Sequence, residues 1–383
     1  MSKPSSTFQL PNVKSPPKVA IVHDWLYGGG AERVVEQLHK LYPDAPIYTS
    51  YCSDDWRVKL DGKVITGFLQ HWPFSRLRKY VGPLRIWWFG RIDFSNFDLV
   101  ISSAGNGEAK DINVPDGTKH ICYCHAPTHF YWRSYQQYYD KPGFGIMNPL
   151  ARIGLKMLVG PMRRRDYKAA QKPKLFIANS SYIAGEIQQY YGRDAEVINP
   201  PVDVDRFIQH TKTARSGYVT MGRQVPYKRT DIIVDACTKL NVPLLVVGNG
   251  PEHANLVGRA GPSVTFRSDV SDEEMPKVLA SAEGFIFAAK EDFGVAPVEA
   301  MASGTPVLAY QAGGALDYVT EGVTGQFFSE QSVNSLIQAL ETFKTSTFDS
   351  QTISQQSQSY SSKNFTKKFT VMVNKNMTKK SVL

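Results

Sequence analysis

The sequence has no long apolar run and no apolar leader. None of its stretches approaches the roughly 18 apolar residues that a membrane-spanning helix needs. The first residues, MSKPSSTFQLPNVKSPPK, are polar and proline-rich, without the apolar core of a signal peptide. We therefore predict a flexible tail over residues 1–17 and a cytoplasmic protein, whose contact with the inner face of the cell membrane would be peripheral at most.

Cysteines and the common metal and nucleophile patterns are also scarce. Asp203-Val204-Asp205 resembles a metal-binding D-x-D, but it follows a proline pair at a domain junction, and we interpret it as structural. No nucleophile elbow or Ser-His-Asp order is present, which argues against hydrolysis through an acyl-enzyme. The sequence thus predicts neither a metal nor an organic cofactor. The four cysteines lack zinc-ligand spacing and are expected to be buried free thiols in a reducing compartment: Cys52, Cys122, Cys124 and Cys237.

Positive charge is in excess and unevenly spread. The formal net charge is +9, and basic residues are interleaved with aromatic and apolar ones over residues 71–91 and 152–165. Such segments suit an anionic partner, although a solvated helix face with Trp and Leu turned inward would have the same composition. Two such segments in one half of the chain, with Trp87 beside Trp88 in the first, favour a membrane surface over nucleic acid.

Short apolar runs alternate with helical patterns along most of the chain. A buried-strand pattern at 18–25 leads into a helix, and strand–helix pairs recur and then restart after a proline pair. This alternation is typical of parallel sheets with helices on both faces. We predict an α/β chain of two doubly wound, Rossmann-like domains, 18–196 and 197–360, facing each other across a cleft. A C-terminal helix within 361–383 would pack back on the N-terminal domain.

The segment AAKEDFGVAPVEAMASG, residues 288–304, carries the most specific pattern. Glu291 ends a strand and a helix begins near Val295. Backbone N–H groups and the positive end of the helix dipole would therefore face the cleft, where a phosphate binds well. Glu299 lies one turn into the helix, where a carboxylate can bridge the hydroxyls of a ribose. Taken alone, either glutamate is more often an ordinary structural or surface residue.

Two cations belong to the same sheet edge. Arg223 follows a strand, and Lys228 is expected to open the next helix. Loss of a sugar from a nucleotide sugar leaves a nucleoside diphosphate, and its negative charge rises as the bond breaks. Two fixed cations stabilise that developing charge more than the ground state. The pair therefore predicts a diphosphate site beside Glu291 and Glu299.

Together these residues resemble a known family. EDFGVAPVE, with Glu291 and Glu299 eight positions apart, is similar to the E-x7-E signature of retaining GT-B glycosyltransferases of family 4, GT4. The resemblance extends over roughly residues 18–345. It implies the GT-B fold and transfer of a sugar with retention of the anomeric configuration. Asp292 departs from the family pattern, because a small residue is usual there, and this bears on sugar specificity.

The resemblance also implies a role for each site residue. Arg223 and Lys228 would bind the diphosphate. Glu299 would hold the ribose, and Glu291 the hydroxyls of the donor sugar. His125 would orient that sugar and would not act as a nucleophile. Further donor contacts would come from the backbone of Phe293, Gly294 and Val295, around the sugar and phosphate, and from Gly248, Asp269 and Val270, of which the last two would lie near the base. The acceptor and phosphate side would be formed by the loop of Gly28, Gly29 and Gly30.

Several functions are compatible with these patterns. The chain looks most like bacterial mannosyltransferases of surface polysaccharide and glycolipid assembly, so GDP-mannose is the favoured donor and a lipid-linked sugar or oligosaccharide the expected acceptor. UDP-glucose, UDP-galactose and UDP-N-acetylglucosamine stay open, since no residue selects the base. A sugar-nucleotide epimerase or a non-catalytic nucleotide-binding protein is the alternative of another class. A dinucleotide site is disfavoured because Arg33 takes the third position of the G-x-G-x-x-G pattern that begins at Gly28.

Overall fold

The structure, a computed structural model, describes most of the chain, residues 17–77, 81–143, 145–208 and 215–378. Three parts of the predictions fall outside the described residues: the tail over 1–16, Arg78 and Lys79 of the first basic segment, and the basic end over 379–383. Within the described ranges, no helix is long and apolar enough to cross a membrane. The four cysteines are free and buried, as predicted.

The N-terminal half contains one parallel sheet of seven strands in the order β3-β2-β1-β4-β5-β6-β7. All its strand pairs are parallel, so each connection has to cross over. Helices make these crossings except between β4 and β5, which a loop connects. The strands are β1 (Val19–His23), β2 (Ile47–Thr49), β3 (Val64–Thr66), β4 (Leu99–Ala104), β5 (Lys119–Cys124), β6 (Leu175–Ala178) and β7 (Ala195–Val197).

Helices cover both faces of this sheet, which is why its strands are apolar on both sides. In β1, Val19 and Ile21 join one hydrophobic cluster while Ala20 and Val22 join the other. The helices of this half are α1 (Glu32–Leu41), α2 (Asp54–Lys59), α3 (Gly82–Phe89), α4 (Tyr135–Asp140), α5 (Asn148–Ala170) and α6 (Ser181–Tyr191).

The C-terminal half repeats the design with six parallel strands in the order β10-β9-β8-β11-β12-β13. Both sheets therefore reverse their strand order beside β1 and β8, the place where ligands bind in open α/β sheets. The strands are β8 (Tyr218–Met221), β9 (Leu244–Val247), β10 (Val264–Arg267), β11 (Gly284–Phe287), β12 (Val307–Tyr310) and β13 (Gly325–Phe328).

Two hydrophobic clusters, one on each face, enclose this second sheet. The predicted fold class, two doubly wound α/β domains, is confirmed. The helices of this half and of the chain end are α7 (Asp205–Ile208), α8 (Thr230–Leu240), α9 (His253–Arg259), α10 (Met275–Ala280), α11 (Val295–Ala302), α12 (Ala315–Tyr318), α13 (Val333–Thr345), α14 (Ser350–Ser357) and α15 (Ser362–Thr378).

The end of the chain returns to the N-terminal half. Phe365 and Phe369 of α15 are buried in the cluster that contains Ile21 and Leu38. Gln37 of α1 donates a hydrogen bond to the hydroxyl of Thr366 at 2.8 Å. The closing helix thus packs on α1 and the first sheet, and the chain crosses between the two halves twice.

Candidate functional site

A cavity of about 710 Å³ lies between the two halves, at the carboxyl ends of their strands. We call it the central cavity. Its walls come from the loops after β1, β5, β6, β8 and β11, so residues far apart in sequence meet there. The lining residues used below are Gly29, Gly30, Arg33, His129, Arg133 and Asn179 with His125 from the N-terminal half, and Lys228, Glu291, Asp292, Phe293, Gly294, Val295 and Glu299 from the C-terminal half.

Lys228 and Glu291 form an ion pair in the wall of the central cavity. Both side chains are about four-fifths buried, at 20% and 19% exposure. Burial lowers the pKa of the Lys228 ammonium to about 8, and the adjoining carboxylate opposes this by favouring the charged form. An anionic ligand that enters here would meet a cation whose charge is already matched by a movable carboxylate.

The prediction that Lys228 opens a helix is wrong. Lys228 ends the 3-10 turn Pro226–Lys228, and α8 begins at Thr230. Arg229 separates the two in a left-handed conformation, with φ at 52°, and this conformation cannot be part of a right-handed helix. The Lys228 side chain is therefore presented from a turn at the cavity wall.

A tight turn places the start of α11 at the cavity. Gly294 precedes α11 with φ at 89°, a value that an L-residue rarely adopts. The turn is held from the other side by Gly314, whose backbone N–H donates to the carbonyl of Glu291 at 2.9 Å. A Cβ atom on Gly314 would lie 2.3 Å from the Cα atom of Phe293. The two glycines therefore let Glu291 and the N-terminus of α11 lie side by side.

Glu299 reaches the cavity from inside α11 and already has a partner across the cleft. Its carboxylate accepts a hydrogen bond from Arg33 of α1 at 2.8 Å. Glu299 is buried, with 7% of its side chain exposed, whereas Arg33 is 40% exposed. A ribose that took the place of the guanidinium would meet a carboxylate already oriented for its hydroxyls.

His125 directly follows β5 on the opposite wall, where its side chain and backbone are hydrogen-bonded to neighbouring residues. Its Nε2 atom lies 2.8 Å from the hydroxyl of Ser103, and His23 lies 2.8 Å from the Ser103 carbonyl. The carbonyl of His125 accepts from the side-chain amide of Asn179 at 2.9 Å. Burial, with a smaller contribution from His23, lowers the pKa of His125 to about 3. The imidazole is therefore neutral near pH 7 and can orient a polar group without repelling a cation.

The glycine turn after β1 only partly faces the cavity. Gly29 and Gly30 line it, but Gly28 does not. The backbone N–H of Gly28 donates to the carboxylate of Glu32 at 3.0 Å. Because a side chain of the chain itself occupies this donor, the turn presents less positive charge to a ligand than its three glycines indicate.

Four predicted donor contacts lie outside the lining of the central cavity. Arg223 is exposed and lines a smaller adjoining pocket that shares Lys228 with the cavity. Gly248 lies beside it, where a Cβ atom would come 2.4 Å from the carbonyl oxygen of Gly222. Asp269 is exposed and forms an ion pair with Arg267. Val270 packs against one of the two hydrophobic clusters that enclose the C-terminal sheet. The structure brings Arg223 next to the cavity and leaves the last two farther away.

The structure adds an ion pair that the sequence did not indicate. Asp292 accepts from Arg133 across the cleft at 2.7 Å. The same guanidinium donates to Glu186 at 3.1 Å and to the hydroxyl of Tyr182 at 3.0 Å. The unusual Asp292 therefore links the turn at 291–294 to the N-terminal half. Arg133 lies in a loop with no motif, so only its position in space identifies it.

The two aspartates of the D-x-D pattern, Asp203 and Asp205, are exposed, and the second begins α7. Among the described residues, no three His, Cys, Asp or Glu side chains come together as a metal site.

Known proteins share this sequence pattern and fold. The family model for Glycosyltransferase Family 4 matches residues 28–206, and the model for Glycosyl transferases group 1 matches residues 203–360. A D-inositol 3-phosphate glycosyltransferase of Mycobacterium tuberculosis is 26% identical over 224 residues, which covers 52% of this chain and 44% of that protein. The chain thus spans less than half the length of these curated relatives.

Solved structures resemble the chain over nearly its whole length. HepE of Anabaena in complex with UDP has a TM-score of 0.65 and 19% identity, covering 94% of this chain and 100% of that one. Sucrose-phosphate synthase of Thermosynechococcus elongatus has a TM-score of 0.67 and 15% identity, covering 94% and 99%. At these identities the likeness shows a common fold. With two family models that together span residues 28–360 and two doubly wound sheets facing one cavity, the chain belongs to the GT4-like glycosyltransferases with the GT-B fold.

Proposed function

We propose that this protein is a hexosyltransferase that moves a sugar from a nucleotide-sugar donor to a hydroxyl of a lipid-linked or polysaccharide acceptor, with retention at the anomeric carbon. The observation that carries the proposal is the central cavity. It gathers Lys228, Glu291 and Glu299 from one half and a neutral His125 from the other in a single space. Each group suits a different part of a nucleotide sugar.

The charges of the cavity divide the donor into parts. Lys228, with Arg223 beside it, stabilises the diphosphate, whose charge grows in the transition state. Glu299 binds the two ribose hydroxyls after Arg33 has moved aside, and Glu291 accepts hydrogen bonds from the donor sugar. His125 lies beside that sugar as a neutral hydrogen-bonding group.

The transfer exchanges one bond for another on the same face of the sugar. The bond from the anomeric carbon to the phosphate oxygen breaks with its electron pair, which stays on the phosphate. The acceptor hydroxyl oxygen forms the new bond and gives its proton to the leaving phosphate. Lys228 and Arg223 stabilise the negative charge that this phosphate carries at the transition state.

GDP-mannose is the donor we favour, on the resemblance to bacterial mannosyltransferases. UDP-glucose is the second candidate, because the HepE structures of similar fold were solved with UDP and with UDP-glucose. Calorimetric titration with GDP, UDP and ADP, first without metal and then with magnesium, tests both. Binding of GDP alone supports mannose, and a preference for UDP moves the donor to a glucose-type sugar. If no nucleotide binds, the transferase proposal is wrong.

Exposed apolar residues on α3 and α5 support an acceptor that is held at a membrane surface. On α5, Leu150, Ile153 and Met157 follow one stripe and are 65%, 58% and 72% exposed. Trp87 on α3 is 49% exposed, and Arg91 lies over its ring at 4.0 Å from the centroid. Apolar side chains with cations beside them match the boundary between headgroups and acyl chains. The protein would then work as a peripheral protein at the membrane face where lipid-linked sugars are exposed.

Co-sedimentation with vesicles tests this surface. We expect binding to vesicles that contain anionic lipid and weaker binding to neutral ones, because the cations need a negative surface. I153S/M157S should lose binding, whereas L316S, at an exposed leucine of the C-terminal half, should keep it. Equal binding to both kinds of vesicle would remove the electrostatic part of the argument.

A further inference from the structure

A second cavity of about 300 Å³ opens inside the N-terminal half, between α3 and α5. We call it the side pocket. Among the described residues it shares no lining residue with the central cavity, and one stretch of chain separates the two. In that stretch His129 and Arg133 line the central cavity, whereas Phe130 and Tyr131 line the side pocket. The pocket therefore lies next to the reaction site without being part of it.

Glu108 is the unusual group in the side pocket. It is buried, with 4% of its surface exposed, and one carboxylate oxygen accepts from Arg85 at 2.6 Å. The other oxygen, Oε2, is buried and has no hydrogen-bond partner in the described part of the chain. Buried polar atoms are nearly always paired with protein, water or a ligand. The free oxygen is therefore an unused acceptor at a residue that lines the pocket, available to a hydroxyl or another donor.

The turn that carries Glu108 is rigid. The carboxylate of Asp24, at the end of β1, accepts three backbone N–H bonds of 2.7 Å from Gly105, Asn106 and Ala109. Burial and the negative charge of Asp24 raise the pKa of Glu108 to about 7. Near neutral pH the carboxyl group can therefore accept a hydrogen bond or donate one, as a sugar hydroxyl requires.

The other charges of the pocket are already balanced. Asp166 accepts hydrogen bonds from Lys110, Thr128, Trp132 and Tyr191, and Asp111 pairs with Arg165 and Lys172. Since the described lining of the pocket offers no surplus cation, it does not favour a phosphate. What it offers is one hydrogen-bonding carboxyl group beside the rings of Phe130 and Tyr131, a combination that suits a neutral ring with both hydroxyls and apolar C–H faces.

We propose that the side pocket binds a neutral sugar ring of the acceptor, one unit away from the ring that receives the transferred sugar. A hydroxyl of this ring donates to the free oxygen of Glu108, and its apolar face packs on Phe130 and Tyr131. The inference rests on the proposed transferase function and names the acceptor class as an oligosaccharide chain. The exposed apolar stripe lies earlier on α5, the helix whose residues 162–169 contribute to the pocket lining, so an acceptor chain held at a lipid surface would approach the pocket along this helix.

Glycoside binding to the full chain tests the site. Methyl α-mannoside, methyl β-glucoside and methyl β-galactoside serve as probes in saturation-transfer NMR, with the tightest-binding nucleotide present to fill the central cavity. We expect ring-proton signals from at least one glycoside, reduced about tenfold in E108Q and in F130A, the loss expected for one hydrogen bond or one packing surface. Y167A, at an exposed tyrosine of α5 outside the pocket, is the matched control and should bind as the unaltered chain does.

F130A leaves the Glu108–Arg85 pair intact, so it tests the pocket even where E108Q is poorly folded. No glycoside signal, or equal signals in all variants, overturns the proposal. Nucleotide titration of the same samples separates the two hypotheses. If no nucleotide binds, the transferase proposal itself fails. If nucleotide binds to all variants and the glycosides ignore Glu108 and Phe130, only the side pocket fails.

Transfer assays decide whether the ring belongs to the acceptor. With the sugar nucleotide that binds, p-nitrophenyl disaccharides should exceed p-nitrophenyl monosaccharides about tenfold in kcat/KM, the gain from one further hydrogen-bonded unit. E108Q and F130A should abolish this gain and leave donor hydrolysis unchanged. Glycoside binding without such a gain, or a gain that both variants keep, assigns the pocket to an unlinked glycan and overturns the acceptor assignment.

Discussion

The two sides of the cleft hold their charges differently. On the C-terminal side, Lys228 and Glu291 pair at a cavity wall with about one-fifth of each side chain exposed. On the N-terminal side, Lys110 and Asp166 pair at 1% and 4% exposure, and the carboxylate has three further donors. The first pair can exchange its partner for a ligand, whereas the second is saturated. A charged side chain is therefore not by itself a sign of a ligand site. Partial exposure and remaining hydrogen-bonding capacity distinguish the pair at the cavity from the saturated pair.

The largest expected effect is on the free energy of unfolding and concerns the buried Lys110–Asp166 pair of the N-terminal side. In K110M, Asp166 loses its cation and stays buried, which should lower the free energy of unfolding by about 3–5 kcal/mol. Urea unfolding followed by tryptophan fluorescence measures this. The matched variant K228M should lose less, about 1 kcal/mol, because about one-fifth of each side chain of its pair is in contact with solvent and the partner carboxylate is not left fully buried. Equal losses in the two variants would contradict the distinction between saturated and exchangeable pairs.

The second-largest expected effect is on kcat and concerns Lys228, on the C-terminal side of the cleft. K228M should lower kcat by about 10²- to 10³-fold, because one preorganised group that stabilises the leaving diphosphate is gone. Release of nucleoside diphosphate from the donor measures the rate. K239M, at the exposed end of α8, is the control and should keep full activity. Full activity in K228M would mean that the ion pair with Glu291 is structural.

The stability of the protein in acid should depend on His120, in strand β5 of the N-terminal sheet. Burial lowers the pKa of His120 to about 3, and its Nε2 atom lies 2.8 Å from the hydroxyl of Ser102. His120 binds a proton less readily in the folded state than in the unfolded chain. Its contribution to the free energy of unfolding is therefore fully present above pH 6.5 and is lost as the pH falls toward 3. Between pH 7 and pH 5 this loss is about 2 kcal/mol for one such histidine.

Comparison of H120Q with the unaltered chain by urea unfolding at several pH values isolates this contribution. The difference in stability between the two should shrink by about 2 kcal/mol on going from pH 7 to pH 5. H71Q, at an exposed histidine, is the matched control. A difference that is constant over this range would show that His120 has no depressed pKa.

The smallest effect concerns the contact that joins the two sides. R33A removes the guanidinium that occupies Glu299, so nucleotide should bind more tightly, by up to about fivefold, the range for a half-exposed ion pair. Calorimetry with GDP or UDP measures this. The 2′,3′-dideoxy nucleotide should show no gain, because it lacks the hydroxyls that Glu299 binds. K40A, on the same helix, is the control, and weaker binding by R33A would show that Arg33 contacts the donor itself.

Much of the C-terminal side could be predicted from the sequence because its groups lie within one strand–turn–helix unit. The spacing of Glu291 and Glu299 and the start of α11 at Val295 follow from local rules about strands, glycine turns and helix ends. The error at Lys228 is local too, since a left-handed Arg229 has no signal of its own in the sequence. Arg133 could not be predicted, because its partner Asp292 lies 159 positions away.

The helix α14 shows the same division in the fold. Residues 345–363 are rich in Ser, Thr and Gln, and the predicted closing helix lies after them. Yet Asp349 caps a helix there by accepting from the backbone N–H of Thr352 at 2.9 Å. Ile353 is fully buried, and Ser354 donates to the carbonyl of Ala302 in α11 at 2.9 Å. Small side chains allow this close packing, and a periodicity of large apolar residues does not reveal it.

The sequence by itself determined the class of the protein. Apolar periodicity is a local property, so the two doubly wound domains, the start of α11 at the cavity and the spacing of the two glutamates follow from residues a few positions apart. The tertiary structure alone decided which charges are exchangeable, which bridge the cleft and where a second pocket forms. Those properties depend on burial and on partners brought together by folding, as when one oxygen of Glu108 has no partner in the described part of the chain and lies in a pocket lined by rings from another loop.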